Sequence, residues 1–516
     1  MLPILTPEQS RAWDSAASAA GRPLGTLMES AGRAAAQVIA ERYASRCRQG
    51  VLVAAGPGNN GGDGWVIARA LQAVGLPVWV AASGEPGSEL AVLQARLAHE
   101  DGVRTVAADG PWPAAGLLVD ALLGTGASGP LRGTVADLAH RLADLDIPLI
   151  AVDGPTGLNL LDGVNHGPLQ AALTITFGGF RRGHLLSRDD CGDLVVVDIG
   201  CPPAAGDWPI LMTALHAARQ LKPFPSDAHK GERGRVVVVG GDAGMTGAAR
   251  LAARAAFGAG AGLVHIVAPA ETVRDLAGSE PDVQSLAQPF DAALTKDCSQ
   301  LLGRADAIVV GPGLGRGPGR DALVLGVLDA GRSPVVVDAD GLMALQGRVA
   351  ELAARAGRRP VLLTPHLGEF RALFPDLASD ATVDPWHAAE RAAELTQCTV
   401  LLKGVPTVIA TPGRQTLTVA AGNPGLATGG SGDCLAGLAA AFLAQGVEPR
   451  TATGMAAQAL GDAADIAARR RTARAMRPMD LLEALPDLWR HWARLASHGA
   501  PVRPPILHEL PRPERG

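Results

Sequence analysis

One pattern, returning along the whole chain, constrains its fold more than any single residue. It is a short apolar run, then a loop rich in glycine and polar side chains, then a stretch with helical spacing. In the first half, apolar residues 51–55, 117–122 and 149–152 lead into three such loops. These read Gly56-Pro57-Gly58-Asn59-Asn60-Gly61-Gly62-Asp63-Gly64, then Asp120 with Gly124-Thr125-Gly126-Ala127-Ser128-Gly129-Pro130, then Asp153-Gly154-Pro155-Thr156-Gly157. In the second half, runs at 235–239, 307–310, 335–337, 361–363 and 400–402 end in the same way. Strands alternating with helices imply parallel sheets, and ligands gather at the carboxyl ends of such strands, so the loops of each half are expected to meet there. Caps and turns alone do not account for so regular a series.

The densest loop spans 423–437 and reads Asn-Pro-Gly-Leu-Ala-Thr-Gly-Gly-Ser-Gly-Asp-Cys-Leu-Ala-Gly. Its glycines let the backbone turn sharply and approach a ligand, and the apolar run 438–443 starts a helix whose first amides face the turn. Such a helix start binds phosphate. Asp433 sets it apart, because a carboxylate beside phosphate is unwelcome unless it takes up a proton, which suits a general base at a phosphoryl-transfer site. The plainer reading is a helix cap. Lys403, at a strand end near this nest, is suited to neutralising phosphate charge, although a surface lysine is the commoner case.

In the first half, Gly56 to Gly61 satisfies G-x-G-x-x-G between a strand and a helix expected over 65–74, a weak dinucleotide signal whose ribose carboxylate has only an imperfect match in Glu85. The polar content carries more. Asn59, Asn60 and Asp63 give donors and acceptors able to fix a polar ligand. Asp120, the Asn60 amide and the Thr156 hydroxyl are hard oxygen donors suited to a hard cation, although each Asp singly also reads as a cap.

With 516 residues the chain exceeds one core, so two domains are expected and three are possible. A junction is expected at 205–225, within a stretch that holds five prolines and no clear periodicity. A net charge of −5 leaves no basic footprint for nucleic acid. The six cysteines lack C-x-x-C spacing, which argues against a zinc site or a disulfide framework and suits a reducing, cytoplasmic setting. No signal peptide is read at the N-terminus, and no apolar run approaches the length of a membrane span. The tail 501–516 reads as disordered.

The three loops of the first half resemble the signatures of NAD(P)H-hydrate epimerase, a family that interconverts the R and S epimers of hydrated NADH and NADPH. The resemblance implies that Asn59, Asn60, Gly61, Gly62, Asp63 and the run Gly124, Thr125, Gly126, Ala127, Ser128, Gly129, Pro130 hold the nucleotide. It also implies that Asp153 contacts the hydrate as acid or base, and that Asn60, Asp120 and Thr156 bind K+. Thr156 stands where Ser is commoner and keeps the hydroxyl. Residues 227–490 resemble the ADP-dependent NAD(P)H-hydrate dehydratase of the ribokinase-like superfamily. There the resemblance implies that Ala248, Gly315, His366 and Asp433 contact the hydrate, while Lys403, Gly404, Val405, Pro406, Thr407 and Gly432 contact the adenine nucleotide, with Asp433 as the base and Mg2+ accompanying ADP.

The fold expected is α/β, with two three-layer αβα domains: a Rossmann-like one over 1–215, a ribokinase-like one over 216–495, and a Pro-rich tail over 496–516. The small-molecule partners expected are NADHX, NADPHX and ADP, in a homo-oligomer. Two other readings stay open. One is a ribokinase-like kinase of a vitamin precursor or sugar alcohol, and the other makes the first half a non-catalytic nucleotide-binding module.

Overall fold

The computed structural model describes residues 2–204, 206–498 and 507–514. The chain divides into two compact units, residues 2–208 with 502–512 and residues 209–501. The rest of the proline-rich tail, 499–506 and 515–516, lies outside the described residues.

Short runs of β-branched and small apolar residues, with no polar position to turn outward, are stable only when both faces of the strand are covered. In the first unit the strand Val51–Ala55 sends Val51, Val53 and Ala55 into one core and Leu52 and Ala54 into another on the opposite face. The strands lie in the order Arg104–Val106, Val78–Ala82, Val51–Ala55, Leu117–Ala121, Leu149–Val152, Leu173–Phe177 and Asp193–Val197, all parallel. Chain order reverses between Val51–Ala55 and Leu117–Ala121, which opens a crevice at their carboxyl ends.

Two expectations change here. The helix placed at 65–74 begins at Asn59 and runs to Ala73, so Asn59, Asn60 and Asp63 stand on its first turns rather than in a loop. Glycine there serves close approach: a Cβ at Gly61 would lie 1.8 Å from the Gly56 carbonyl oxygen. The tail, read as disordered, forms the strand Leu507–Leu510, antiparallel to Asp193–Val197. Composition shows that a segment cannot fold alone, but not that a sheet edge elsewhere supplies its ladder.

In the second unit the order is Gln284–Ala287, Leu263–Ala268, Arg235–Val239, Ala307–Val310, Val335–Val337, Val361–Leu363 and Thr399–Leu402, all parallel. Thr407–Ala410 and Leu417–Val419 then continue it antiparallel, so residues 403–407 close a hairpin rather than a crossover. Ile210–Leu211 pairs with Leu417–Val419, and the helix Ala214–Gln220 follows, so part of the proline-rich junction is ordered within this unit. No helix among the described residues is long and apolar enough to cross a membrane.

Substituting Gly61→Ala is expected to destabilise the first unit by about 1–3 kcal/mol, because the clash is with backbone that has no rotamer to yield. Urea unfolding followed by tryptophan fluorescence checks this, Trp65 being on the same helix.

Candidate active sites

At the end of the strand Leu117–Ala121, the buried Asp120 accepts hydrogen bonds from the Leu122 amide at 3.1 Å, the Thr156 amide at 2.7 Å and the Thr156 hydroxyl at 2.7 Å. The Thr156 hydroxyl accepts in turn from the Leu123 amide at 3.0 Å. Burial pushes the Asp120 carboxyl up to about 6 against these bonds. The Asn60 Nδ2 is buried without a hydrogen-bond partner among the described residues, and Gly124 packs so closely that a Cβ there would lie 3.1 Å from Asn60 Oδ1.

Asp153 follows the strand Leu149–Val152 with φ 66°, a left-handed conformation that few non-glycine residues adopt. Its Oδ2 accepts from the Thr125 amide at 2.9 Å and from the Thr125 hydroxyl, and its Oδ1 accepts from the Thr176 hydroxyl at 3.0 Å. The Arg181 guanidinium lies 3.3 Å from Oδ1. Burial opposes ionisation, but the Arg181 charge and the Thr125 and Thr176 hydroxyls outweigh it and hold this carboxyl below its ordinary range. His184, pushed down to about 4 by burial, is neutral; its Nδ1 accepts from the Arg181 amide, so its Nε2 donates to the Asp153 carbonyl at 2.6 Å. Asp63 goes the other way: burial, then the charges of Asp153 and Asp14, raise it well above the usual carboxylate range. One cleft thus holds two carboxyls whose proton affinities are pushed in opposite directions, an arrangement suited to acid–base chemistry.

The cleft has a volume of about 700 Å³. Asn59, Asn60, Asp63, Gly124, Thr125, Gly126, Ala127 and Asp153 line it, together with Arg181 and an apolar side that includes Leu24, Leu27, Met28 and Ile199. Gly61, Gly62, Ser128, Gly129 and Pro130 do not line it, and Asp120 and Thr156 lie behind it.

In the second unit, Gly430 takes φ 103° and starts the helix Ser431–Ala444, which places Gly432 and Asp433 on its first turn. Facing them is a buried ion cluster. The Lys403 Nζ donates to Asp338 Oδ1 at 2.8 Å and lies 3.9 Å from Glu369 Oε2. Asp338 also accepts from the Thr364 hydroxyl at 2.8 Å. A Cβ at Gly432 would lie 3.2 Å from the Lys403 Nζ, so the nest backbone rests against this cluster. Burial, then the negative charge of Asp338, raises Asp433 to about 7, with Lys403 only partly offsetting them. Burial disfavours the Lys403 charge, but Asp338 and Glu369 together raise it above its ordinary value. Its charge is therefore shared with two carboxylates beside the nest.

His366 caps its own helix, Leu367–Leu373, accepting from the Gly368 amide at 3.0 Å, and its backbone bridges to Lys403. The Gly315 amide donates to Asp340 Oδ2 at 3.0 Å. Ala248 lies on the first turn of Thr246–Gly258, against the Gly313 turn. Gly404, Val405 and Pro406 form the hairpin turn ahead of Thr407, with Val405 73% exposed. Sequence reasoning passed over Arg181 and His184, although Gly178-Gly179-Phe180-Arg181-Arg182-Gly183-His184 follows the strand Leu173–Phe177 and meets the same strand-then-glycine rule. It gave no role to Asp338 or Glu369.

Comparison with known proteins agrees with this division. Residues 24–183 match the family model of the YjeF-related protein N-terminus, and residues 236–487 match that of NAD(P)H-hydrate dehydratase. The chain is 36% identical over 502 residues to the bifunctional NAD(P)H-hydrate repair enzyme Nnr of Moorella thermoacetica, covering 91% of this chain and 93% of that one. It is 35% identical over 480 residues to the enzyme of the same name from Escherichia coli, covering 91% and 90%. A solved structure of the ADP/ATP-dependent NAD(P)H-hydrate dehydratase from Bacillus subtilis, co-crystallised with ATP and Mg2+, is 28% identical and covers 54% of this chain and 97% of that one, with a TM-score of 0.48. With relatives at this identity aligned over nearly their full length, the chain belongs to the family of bifunctional NAD(P)H-hydrate repair enzymes.

Proposed function

We propose that the first unit interconverts the R and S epimers of hydrated NADH and NADPH, and that the second dehydrates the S epimer with ADP, giving NAD(P)H, AMP and phosphate. The observation that carries the reading is Asp433, a carboxylate on the first turn of a glycine nest, with its pKa raised to about 7. A base is most effective when its pKa lies near the working pH.

In the dehydratase, Asp433 accepts the proton of the substrate's ring hydroxyl as that oxygen attacks the terminal phosphate of ADP, and AMP leaves. The amides of Gly430 to Gly432 stabilise the charge that develops. Phosphate then departs in place of hydroxide, and loss of a proton from the adjacent ring carbon to solvent restores the ring double bond. Lys403, held by Asp338, keeps a positive charge beside the nest. Gly315, His366 and Ala248 contact the hydrate, and residues 403–407 the adenine nucleotide. Mg2+ arrives with the nucleotide, held by its phosphates and water and neutralising their charge.

In the epimerase, the substrate lies in the cleft between Asn59–Asp63 and Gly124–Ala127. Asp63 carries the proton that assists departure of the hydroxyl. Asp153, fixed as an anion by its donors, stabilises the positive charge left on the ring. Water then returns to either face. The residues behind the cleft fit K+: Asp120 is a buried carboxylate whose pKa no cationic side chain lowers, and Thr156 and Asn60 add neutral oxygens. A bound K+ would offset the Asp120 charge and fix both loops. A cytoplasmic location and a homo-oligomer complete the reading.

With both epimers of NADH hydrate, ADP and Mg2+, absorbance at 340 nm is expected to return completely, with AMP appearing in equal amount. Asp433→Asn is expected to lower dehydration by at least about 10²-fold. Stable phosphorylated product without absorbance would instead indicate a kinase. Stability gives a second check on Asp433. The folded protein holds its proton to about pH 7, whereas the unfolded chain releases it near the ordinary 3.8, so stability falls as pH rises between these values. Asp433→Asn removes that loss, and its melting temperature is expected to exceed that of the unchanged protein at pH 8, the gap closing toward pH 4.

Asp153→Asn tolerates the left-handed backbone but removes the anion. It is expected to leave prompt repair of the S epimer intact while the R portion returns only at the uncatalysed rate, as chiral chromatography of the residual hydrate checks. Replacing K+ by a large organic cation is expected to slow epimerisation, and Thr156→Val to abolish the response to added K+, measured by equilibration of a single purified epimer.

A further inference from the structure

The last described residues join the N-terminal unit from the far end of the chain. Leu507 to Leu510 pair antiparallel with Val197 back to Leu194, along an edge that would otherwise present unpaired amides and carbonyls. Leu507 packs against the core formed by Val195, Val197 and their neighbours. Arg188, only 4% exposed, donates through Nη2 to the Leu510 carbonyl at 3.3 Å and the Pro511 carbonyl at 2.5 Å. Asp193 Oδ1 accepts from the Arg512 amide at 2.8 Å, and Glu509 pairs with Arg42. A buried guanidinium and a carboxylate thus fix the depth at which an extended segment sits, while the ladder and Leu507 supply the area.

We infer that the outer edge of Asp193–Val197 is a strand-accepting groove whose occupant is the chain's own end, residues 507–512, and that the N-terminal unit is incomplete until this segment docks.

The groove has a direct line to the cleft. Asp193–Val197 pairs along its whole length with Leu173–Phe177, and the Val197 carbonyl accepts from the Gly178 amide at 2.9 Å. Thr176 on that inner strand donates to Asp153, and the short strand and helix that follow it carry Arg181 and His184. The docked segment therefore braces the strand from which Asp153 is held. Composition alone leaves residues 501–516 short of a core of their own, so the segment gains order only by docking.

The test compares the complete chain with one ended at residue 506, by amide hydrogen exchange. Truncation is expected to speed exchange across 173–177 and 193–197 by on the order of tenfold or more, while Arg235–Val239 in the other unit keeps its protection. A synthetic peptide of residues 505–514 is expected to restore protection saturably, and a peptide carrying Leu507→Asp and Leu510→Asp is expected to fail. In the complete chain, Arg188→Ala is expected to raise exchange at 193–197, which gives a readout should the shortened chain fail to fold. Unchanged exchange on truncation, or no restoration by millimolar peptide, overturns the inference. A complete chain that is dimeric where the truncated one is monomeric would place the segment on a neighbouring copy and overturn the assignment of its occupant.

Discussion

Asp120 accepts hydrogen bonds from the Leu122 and Thr156 amides and the Thr156 hydroxyl, so one buried carboxylate ties the end of its own strand to the loop of the next. Asp338 does likewise in the other unit, accepting from Thr364 at the end of the next strand and from Lys403 at the end of the strand beyond it. Strand ends in a parallel sheet leave polar backbone close to the core, and it must be satisfied by side chains that reach it. A short carboxylate with several acceptor positions can take donors from two loops at once. Both sites depend on this, because Leu122, Thr156, Thr364 and Lys403 stand on strand-end segments that these carboxylates hold in register.

The same burial that makes these bonds strong separates the protonation states of the remaining acids. Asp153 has a guanidinium and two hydroxyls as donors, which favour its charged form, whereas Asp63, in the same cleft, faces other acids, which favour its neutral form. Asp433 lies between these cases, because Lys403 offsets part but not all of the effect of burial and of Asp338. Three aspartates of similar sequence context, each beside glycine, thus differ in proton affinity for reasons set by partners distant in the chain.

Much of the fold was legible. The strands Arg235–Val239, Ala307–Val310, Val335–Val337 and Val361–Leu363 coincide with the apolar runs that announced them, since burial on both faces leaves no room for polar residues. The start of the helix Asn59–Ala73 was misplaced, because its glycines look like a flexible turn while their tertiary use is to let a helix sit against a strand end. Arg181 and His184 were overlooked because arginine and histidine after a strand carry no local mark of pairing with an aspartate earlier in the chain.

The order of residues by itself determined the parallel architecture, the glycine-lined loops at the strand ends, and the oxygen donors and carboxylates available there, since these follow from periodicity and side-chain chemistry. Tertiary structure alone decided which of those carboxylates carry protons, which glycines make room rather than turns, and that a proline-rich end completes the sheet of the first unit. Each of those depends on burial and on partners brought together from distant parts of the chain, and neither is a property of a residue's neighbours in sequence.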